Sequence, residues 1–252
     1  MSKQLMLGAM VCVVALVASV SQATLKGYEP FNYAPGSYSE FTQNGGTNWT
    51  GAWEQPINIA SPGLAHDNLV VGGNKMTPGA GNIDANRRFA DQSSGALWFS
   101  FVSNTPSGTG IRVGALNGGW GGIYFGKETW TSDYRSGNNP TGISGQGVQS
   151  LIVVRMDLTT GNDSARMWVF PQGASIPDPN LAQLPNDAQG TYTGGTNDLG
   201  SIFFFRVQVS QGASIDEMRV GTTYGDVVAL TPEPATMALM GMGAVALIRR
   251  RK

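Results

Sequence analysis

The chain has one cysteine, one histidine and no long apolar run of helical period in its central part. Cys12 falls within the first 23 residues, so the remaining sequence has no thiol for a disulfide or a metal site. His66, in Gly63-Leu64-Ala65-His66-Asp67-Asn68, lacks the further nitrogen or sulfur ligands of a zinc site. No nucleophile motif accompanies it either, and it reads as a loop histidine. A basic stripe is also missing. Lys3 and the four terminal basic residues lie outside 24–230, leaving eleven Lys and Arg against sixteen Asp and Glu there, a net charge of −5. That balance argues against nucleic acid as a partner.

What the chain does have is a signal at each end. Lys3 is a short positive region, Leu5 to Val20 an apolar run, and Ser21-Gln22-Ala23 a small-residue cleavage site. Residues 1–23 therefore read as a signal peptide, with signal peptidase the first processing partner and Thr24 the expected mature start. At the other end, Pro232-Glu233-Pro234 is stiff and extended because each proline restricts itself and its predecessor. Ala235 to Ile248 follows without a charge, then Arg249, Arg250, Arg251 and Lys252. As a helix those 14 residues span only about 21 Å, short of a hydrocarbon core of about 30 Å. The basic end would remain in the cytoplasm.

In that order, Pro232-Glu233-Pro234, a short Gly/Ala/Leu-rich membrane segment and the basic end, residues 231–252 resemble the PEP-CTERM sorting domain of bacterial exported proteins. The resemblance implies recognition by exosortase, a membrane-embedded cysteine transpeptidase. It also implies a transient inner-membrane helix, a final place in the cell envelope or extracellular matrix, and an exopolysaccharide setting. An ordinary C-terminal tail anchor is the alternative.

Residues 24–230 are a good length for one all-β domain. Thirty-five glycines in the chain could suggest disorder, but the aromatic residues supply apolar surface for a core, so the glycines read as turns. The apolar signal has period two. Leu97, Phe99 and Phe101 form one face, as do Ile111, Val113 and Ala115; Ile152, Val154, Met156 and Leu158; and Ala165, Met167 and Val169. Phe203, Phe205, Val207 and Val209 form another, and Asp216, Met218 and Val220 oppose Glu217 and Arg219. Pro171 to Gly195 reads as one long loop, with a short helix around Leu181. Many short strands with one apolar face require a second sheet, giving a two-sheet antiparallel sandwich.

Tyr28 to Tyr33, Gly45 to Trp53, Leu151 to Asp157, Ala165 to Phe170 and Ser214 to Tyr224 resemble exported concanavalin A-like (laminin-G-like) jelly-roll domains. This implies two packed antiparallel sheets, one concave, in a superfamily of lectins, carbohydrate-binding modules, glucanases and structural domains. Fold alone does not choose among them. The Glu-x-Asp-x-x-Glu type run of the glucanases is absent, and Asp216 and Glu217 are adjacent, which in a strand sends them to opposite faces. The expectation is a non-catalytic exported surface or matrix protein with polysaccharide as its ligand. The alternative is a divergent polysaccharide hydrolase or lyase on the same fold.

Sugar C–H faces stack on open aromatic rings. Trp120, between glycine pairs, and Trp130 with Tyr134, in a Ser/Gly/Asn-rich stretch, are the candidate carbohydrate-binding residues, with core filling as the alternative for each tryptophan. At Trp49 and Trp53 the resemblance favours packing. No cofactor is expected. The one metal candidate is Ca2+ on the oxygens of Asp157, Asn162 and Asp163 around one turn, a composition that equally suits a hairpin. Asp216, on an apolar face, is expected to accept backbone N–H bonds, since a buried carboxylate otherwise destabilises the fold.

Overall fold

The computed structural model describes residues 24–66, 69, 71–116, 122–127, 133–136, 139–144, 147–179, 184, 190–193 and 198–230. The signal peptide and membrane helix expected at 1–23 and 231–252 lie outside them. Among the described residues no helix is long and apolar enough to cross a membrane.

Two antiparallel sheets form a sandwich, as the period-two pattern requires. The strands are β1 (Leu25–Glu29), β2 (Gly36–Tyr38), β3 (Ile57–Ala60), β4 (Lys75–Met76), β5 (Ile83–Gln92) and β6 (Gly95–Asn104). Next come β7 (Ile111–Leu116), β8 (Gly122–Lys127), β9 (Asp133–Ser136), β10 (Asn139–Ser144), β11 (Ser150–Leu158) and β12 (Ser164–Pro171). β13 (Gly190–Thr193), β14 (Ile202–Val209) and β15 (Ser214–Gly221) complete the set, before a short helix α1 (Tyr224–Val227). The nine-stranded sheet runs β13-β12-β11-β6-β15-β4-β3-β2, with β1 also paired to β15; the six-stranded sheet runs β10-β9-β8-β7-β14-β5. β13 lies inside the stretch expected to be loop. Its four residues pair with β12 and form the sheet edge.

The inward faces are those the alternation marks: Leu97, Phe99, Phe101, Ile111, Val113, Ala115, Ile152, Val154, Met156, Ala165, Met167 and Val169 all join one buried core. Two bulges correct the reading of the last strands. From the pair Ile202–Gln92 to the pair Phe204–Arg88, β14 advances two positions and β5 four, and at this register shift Ile202 and Phe205 point inward and Phe203 does not. The Phe203 ring instead lies against Phe204 (5.3 Å between centroids) and beneath the Arg88 guanidinium (5.7 Å). From the pair Asp216–Val102 to the pair Arg219–Ser100, β15 advances three positions and β6 two, and the extra residue inverts the alternation. Met218 and Val220 remain in the core, while Asp216 stands beside Val102 on the sheet's other face.

That other face is covered too. Leu64, Trp98, Val102, Leu151, Val153, Trp168 and Leu184 pack with Tyr224, Val227 and Val228 of the last segment in a second apolar cluster. Trp98 stacks on Trp168 (5.9 Å, 14°) and meets Tyr224 (5.8 Å). The α1 segment is fixed by a capping box between Thr223 and Asp226, and Asp226 also accepts the N–H of Thr222. A bridge between Leu69 and Leu230 then ends the described chain. This cluster covers the outer side of β6, β11 and β12 in the nine-stranded sheet, and the outer side of the six-stranded sheet carries partly exposed polar side chains among the described residues.

Candidate functional site

On β5, β7, β8 and β14 the residues that alternate with the core point outward. Cross-strand register aligns Asp84 with Gln208 and Arg112, and Arg206 with Gly114 and Tyr124. Arg206 grips Asp84 with two bonds, Nε–Oδ1 at 2.7 Å and Nη2–Oδ2 at 2.5 Å, and Gln208 Nε2 donates to Asp84 Oδ2 at 3.0 Å. Arg206 also reaches the Tyr124 hydroxyl at 3.4 Å, and the Arg112 guanidinium lies 4.5 Å over the Tyr124 ring. Hydrogen bonds from Arg206 hold the Asp84 carboxyl below its ordinary value, and the same bonds raise Arg206.

Two glycines leave room beneath this cluster. A side chain at Gly114 would come within 2.7 Å of the Tyr124 ring, so its absence lets the ring lie against the sheet. At Gly126, φ is +132° and a Cβ would stand 2.0 Å from the Ile111 carbonyl, which only glycine avoids. The result is a partly exposed cluster of one ring, two guanidinium groups and an amide around the exposed Asp84 carboxylate. It can donate and accept hydrogen bonds over an area lined by an aromatic platform.

Trp120 and Trp130 lie outside the described residues, and Tyr134 is described only as a member of β9, opposite Lys127. In sequence the two tryptophans bracket β8, the strand that carries Tyr124. The oxygens proposed for Ca2+ are turned to separate partners. Asp157 bonds Arg155 Nε (2.8 Å) and Arg166 Nη2 (3.2 Å), while Asp163 accepts the N–H of Thr159 (2.8 Å) and Leu199 (2.7 Å). The Asn162 carbonyl accepts from the Thr159 hydroxyl at 3.2 Å. Among the described residues no group of three or more His, Cys, Asp and Glu is placed to hold a metal ion.

Asp216 is fully buried and does accept backbone bonds, from Leu64 N at 2.7 Å and its neighbour Glu217 N at 2.8 Å. Burial outweighs those bonds and raises its carboxyl to about 8. Glu217, which the alternation sets with Arg219 on the face away from Met218 and Val220, is nevertheless buried. It is 3% exposed, adopts φ +52° in the bulge, accepts Gly72 N at 2.6 Å and the Tyr28 hydroxyl at 3.3 Å, and meets Arg219 at 3.2 Å. Burial raises Glu217 as well. His66 is buried with Nε2 2.8 Å from the Phe170 carbonyl, a loop histidine that ties its loop to the end of β12.

A second polar cluster was not legible in sequence. Glu29 and Arg87 form a fully buried ion pair. Glu29 also accepts from Phe31 N (2.8 Å), Tyr33 Oη (2.8 Å) and Trp53 Nε1 (3.2 Å), and Arg87 donates to the carbonyls of Gly51 (3.3 Å) and Gly45 (2.5 Å). Trp49 and Trp53 flank the guanidinium at 4.9 and 5.6 Å, so both pack, as expected. This cluster pins the 44–53 segment and presents nothing to solvent.

With the sandwich and its faces described, the end of the chain can be assigned. Residues 230–252 match the PEP-CTERM protein-sorting motif. The chain carries a PEP-CTERM sorting signal. The motif implies processing by an exosortase-type enzyme and marks an exported, envelope-associated protein. No curated protein matches the sequence. Among solved structures the PEP-CTERM chain is similar to the globular domain of T. cruzi calreticulin (11% identity, TM-score 0.42, covering 79% of this chain and 88% of that one). It is also similar to peanut lectin (12%, 0.38, 74% and 96%). A third is a Trypanosoma rangeli sialidase mutant (13%, 0.41, 84% and 33%), of whose length this chain spans a third. Likeness at this level concerns the fold alone.

Proposed function

We propose that this PEP-CTERM protein is a non-catalytic component of the cell surface or extracellular matrix that binds polysaccharide on the outward face of its six-stranded sheet. The observation that carries the reading is the cross-strand array of Tyr124, Arg112, Arg206, Gln208 and Asp84, with the Tyr124 ring laid over Gly114. Planar polar groups beside a ring suit the hydroxyls and C–H faces of a sugar. Trp120, Trp130 and Tyr134 belong to the segments that adjoin this array in sequence, and stacking on them extends the same contact. In the same reading, signal peptidase removes residues 1–23, residues 231–252 hold the protein at the inner membrane until processing, and exopolysaccharide is the final partner.

The alternative, a hydrolase or lyase, needs a carboxyl held protonated near a second carboxylate. On this face Asp84 is instead held ionised by Arg206. The two carboxyls that burial raises, Asp216 and Glu217, lie beneath the 63–72 segment on the opposite side. The test is a screen of the exported protein for binding and turnover on bacterial and algal polysaccharides, with Trp120→Ala and Trp130→Ala beside wild type. Binding without product, weakened in at least one variant, is the expected result. Release of oligosaccharides would establish the enzyme reading instead.

A further inference from the structure

A groove of about 250 Å3 opens at one edge of the sandwich, where β2 and β3 of one sheet pass the start of β5, the last strand of the other. No acidic or basic side chain lines it. Its polar groups are held in place. The Tyr38 hydroxyl donates to the Ala34 carbonyl at 2.6 Å, and its ring leans on Tyr33 at 6.2 Å. Asn58 Oδ1 accepts from the Ser37 hydroxyl, and its amide nitrogen rests on Gly79, where a Cβ would come within 2.2 Å. Asn82 Oδ1 accepts from Gln211 N at 3.1 Å.

We propose that this groove is a second binding site, a subsite for one neutral pyranose unit, with the Tyr38 ring as platform and the Asn58 and Asn82 amides as hydrogen-bonding partners of the hydroxyls. An aromatic ring with two fixed amides and no charge selects a neutral polar ring over an anionic or purely apolar ligand. The path of the polymer rests on the reading of the outward face given above. Asn82 and Ile83 of the groove directly precede Asp84 of that array. With strands about 4.8 Å apart, a chain crossing from Tyr124 on β8 over β7 and β14 to β5 runs off the sheet edge into the groove.

Gly81 lines the groove and a Cβ there meets nothing within 4 Å, so Gly81→Leu adds an apolar side chain at the rim of the groove without a clash with the fold. The experiment measures affinity of the exported protein for dextran, xylan, galactomannan and laminarin, at low and high NaCl. Wild type, Gly81→Leu, Tyr38→Ala and Tyr124→Ala are compared, with thermal melts for each. The expected result is that Gly81→Leu melts as wild type and loses affinity by about ten-fold or more, the lower part of what one stacked ring contributes. Tyr38→Ala should follow it, and the loss should not depend on salt. Wild-type affinity in Gly81→Leu with weakened Tyr124→Ala overturns the groove and leaves the outward face standing. Weakened Gly81→Leu with wild-type Tyr124→Ala supports the groove and overturns the outward face. If none of the four neutral polymers binds, the groove is overturned.

Discussion

Burial of charge decides most of what single residues do in this protein. Arg87 and Glu29 are both inaccessible, and burial pushes the guanidinium down to about 9, still well above neutrality. The pair is therefore charged at pH 7 and each partner depends on the other. Glu29→Gln should cost about 3–5 kcal/mol in denaturant unfolding, because it leaves an uncompensated buried guanidinium. A loss under about 1 kcal/mol would show that the pair is dispensable, on the scale of surface pairs. Asp216 gives a pH signature. Its carboxyl stands at about 8 in the fold, against about 4 in the unfolded chain. Between those values the folded state binds the extra proton, so the Asp216 contribution weakens as pH rises from about 4 to about 8. The stability of wild type relative to Asp216→Asn should accordingly fall over that window; a constant difference would show that the Asp216 carboxyl is not raised by the fold. The burial of Asp216 was legible from its neighbours, but its face was not. The sequence has no mark for the bulge that inverts β15, and the same bulge buries Glu217. Arg87 was hidden for a related reason: an inward position of β5 is occupied by a charge, which breaks the apolar alternation that marks a strand.

Among the elements, the strands with clean alternation were readable and those with bulges were half readable. β6, β7, β11 and β12 place the expected side chains in the core. β14 does so for Phe205, Val207 and Val209, while at its register shift against β5 Phe203 stays outside the core. Phe205 meets Phe89, Phe99 and Trp49 rings at 5.3, 5.1 and 6.4 Å. Phe205→Ala should cost about 3–5 kcal/mol in thermal or denaturant unfolding, whereas Phe203→Ala should be much milder. Equal costs would remove the distinction between the two faces of β14. The second apolar layer was missed because Trp98 and Val102 alternate with core residues and read as an exposed face until the last segment covers them. Asp226 fixes that segment through its capping box and the Thr222 N–H. Asp226→Ala should lower stability by about 1–2 kcal/mol, the scale of a lost helix cap. An unchanged melt would show that apolar packing alone holds α1.

For the whole molecule, the sandwich stands between a sorting signal and an outward face. The sorting signal was fully legible, because proline, apolar and basic residues follow one another in a fixed order. The outward face was not legible as a unit, since Asp84, Arg112, Tyr124, Arg206 and Gln208 come from four strands and meet only through sheet register. Intact-mass analysis of the exported form should show a start near Thr24 and loss of Arg249 to Lys252; a final product retaining that basic end would make the tail a stable anchor. The central claim is that the face around Tyr124 binds polysaccharide, and affinity for the host's own extracellular polysaccharide tests it most directly. Wild type should bind, and Tyr124→Ala, melting as wild type does, should bind more weakly by about 1–3 kcal/mol, on the scale of one stacked ring. Equal affinity of the two proteins, or no binding by either, would contradict it.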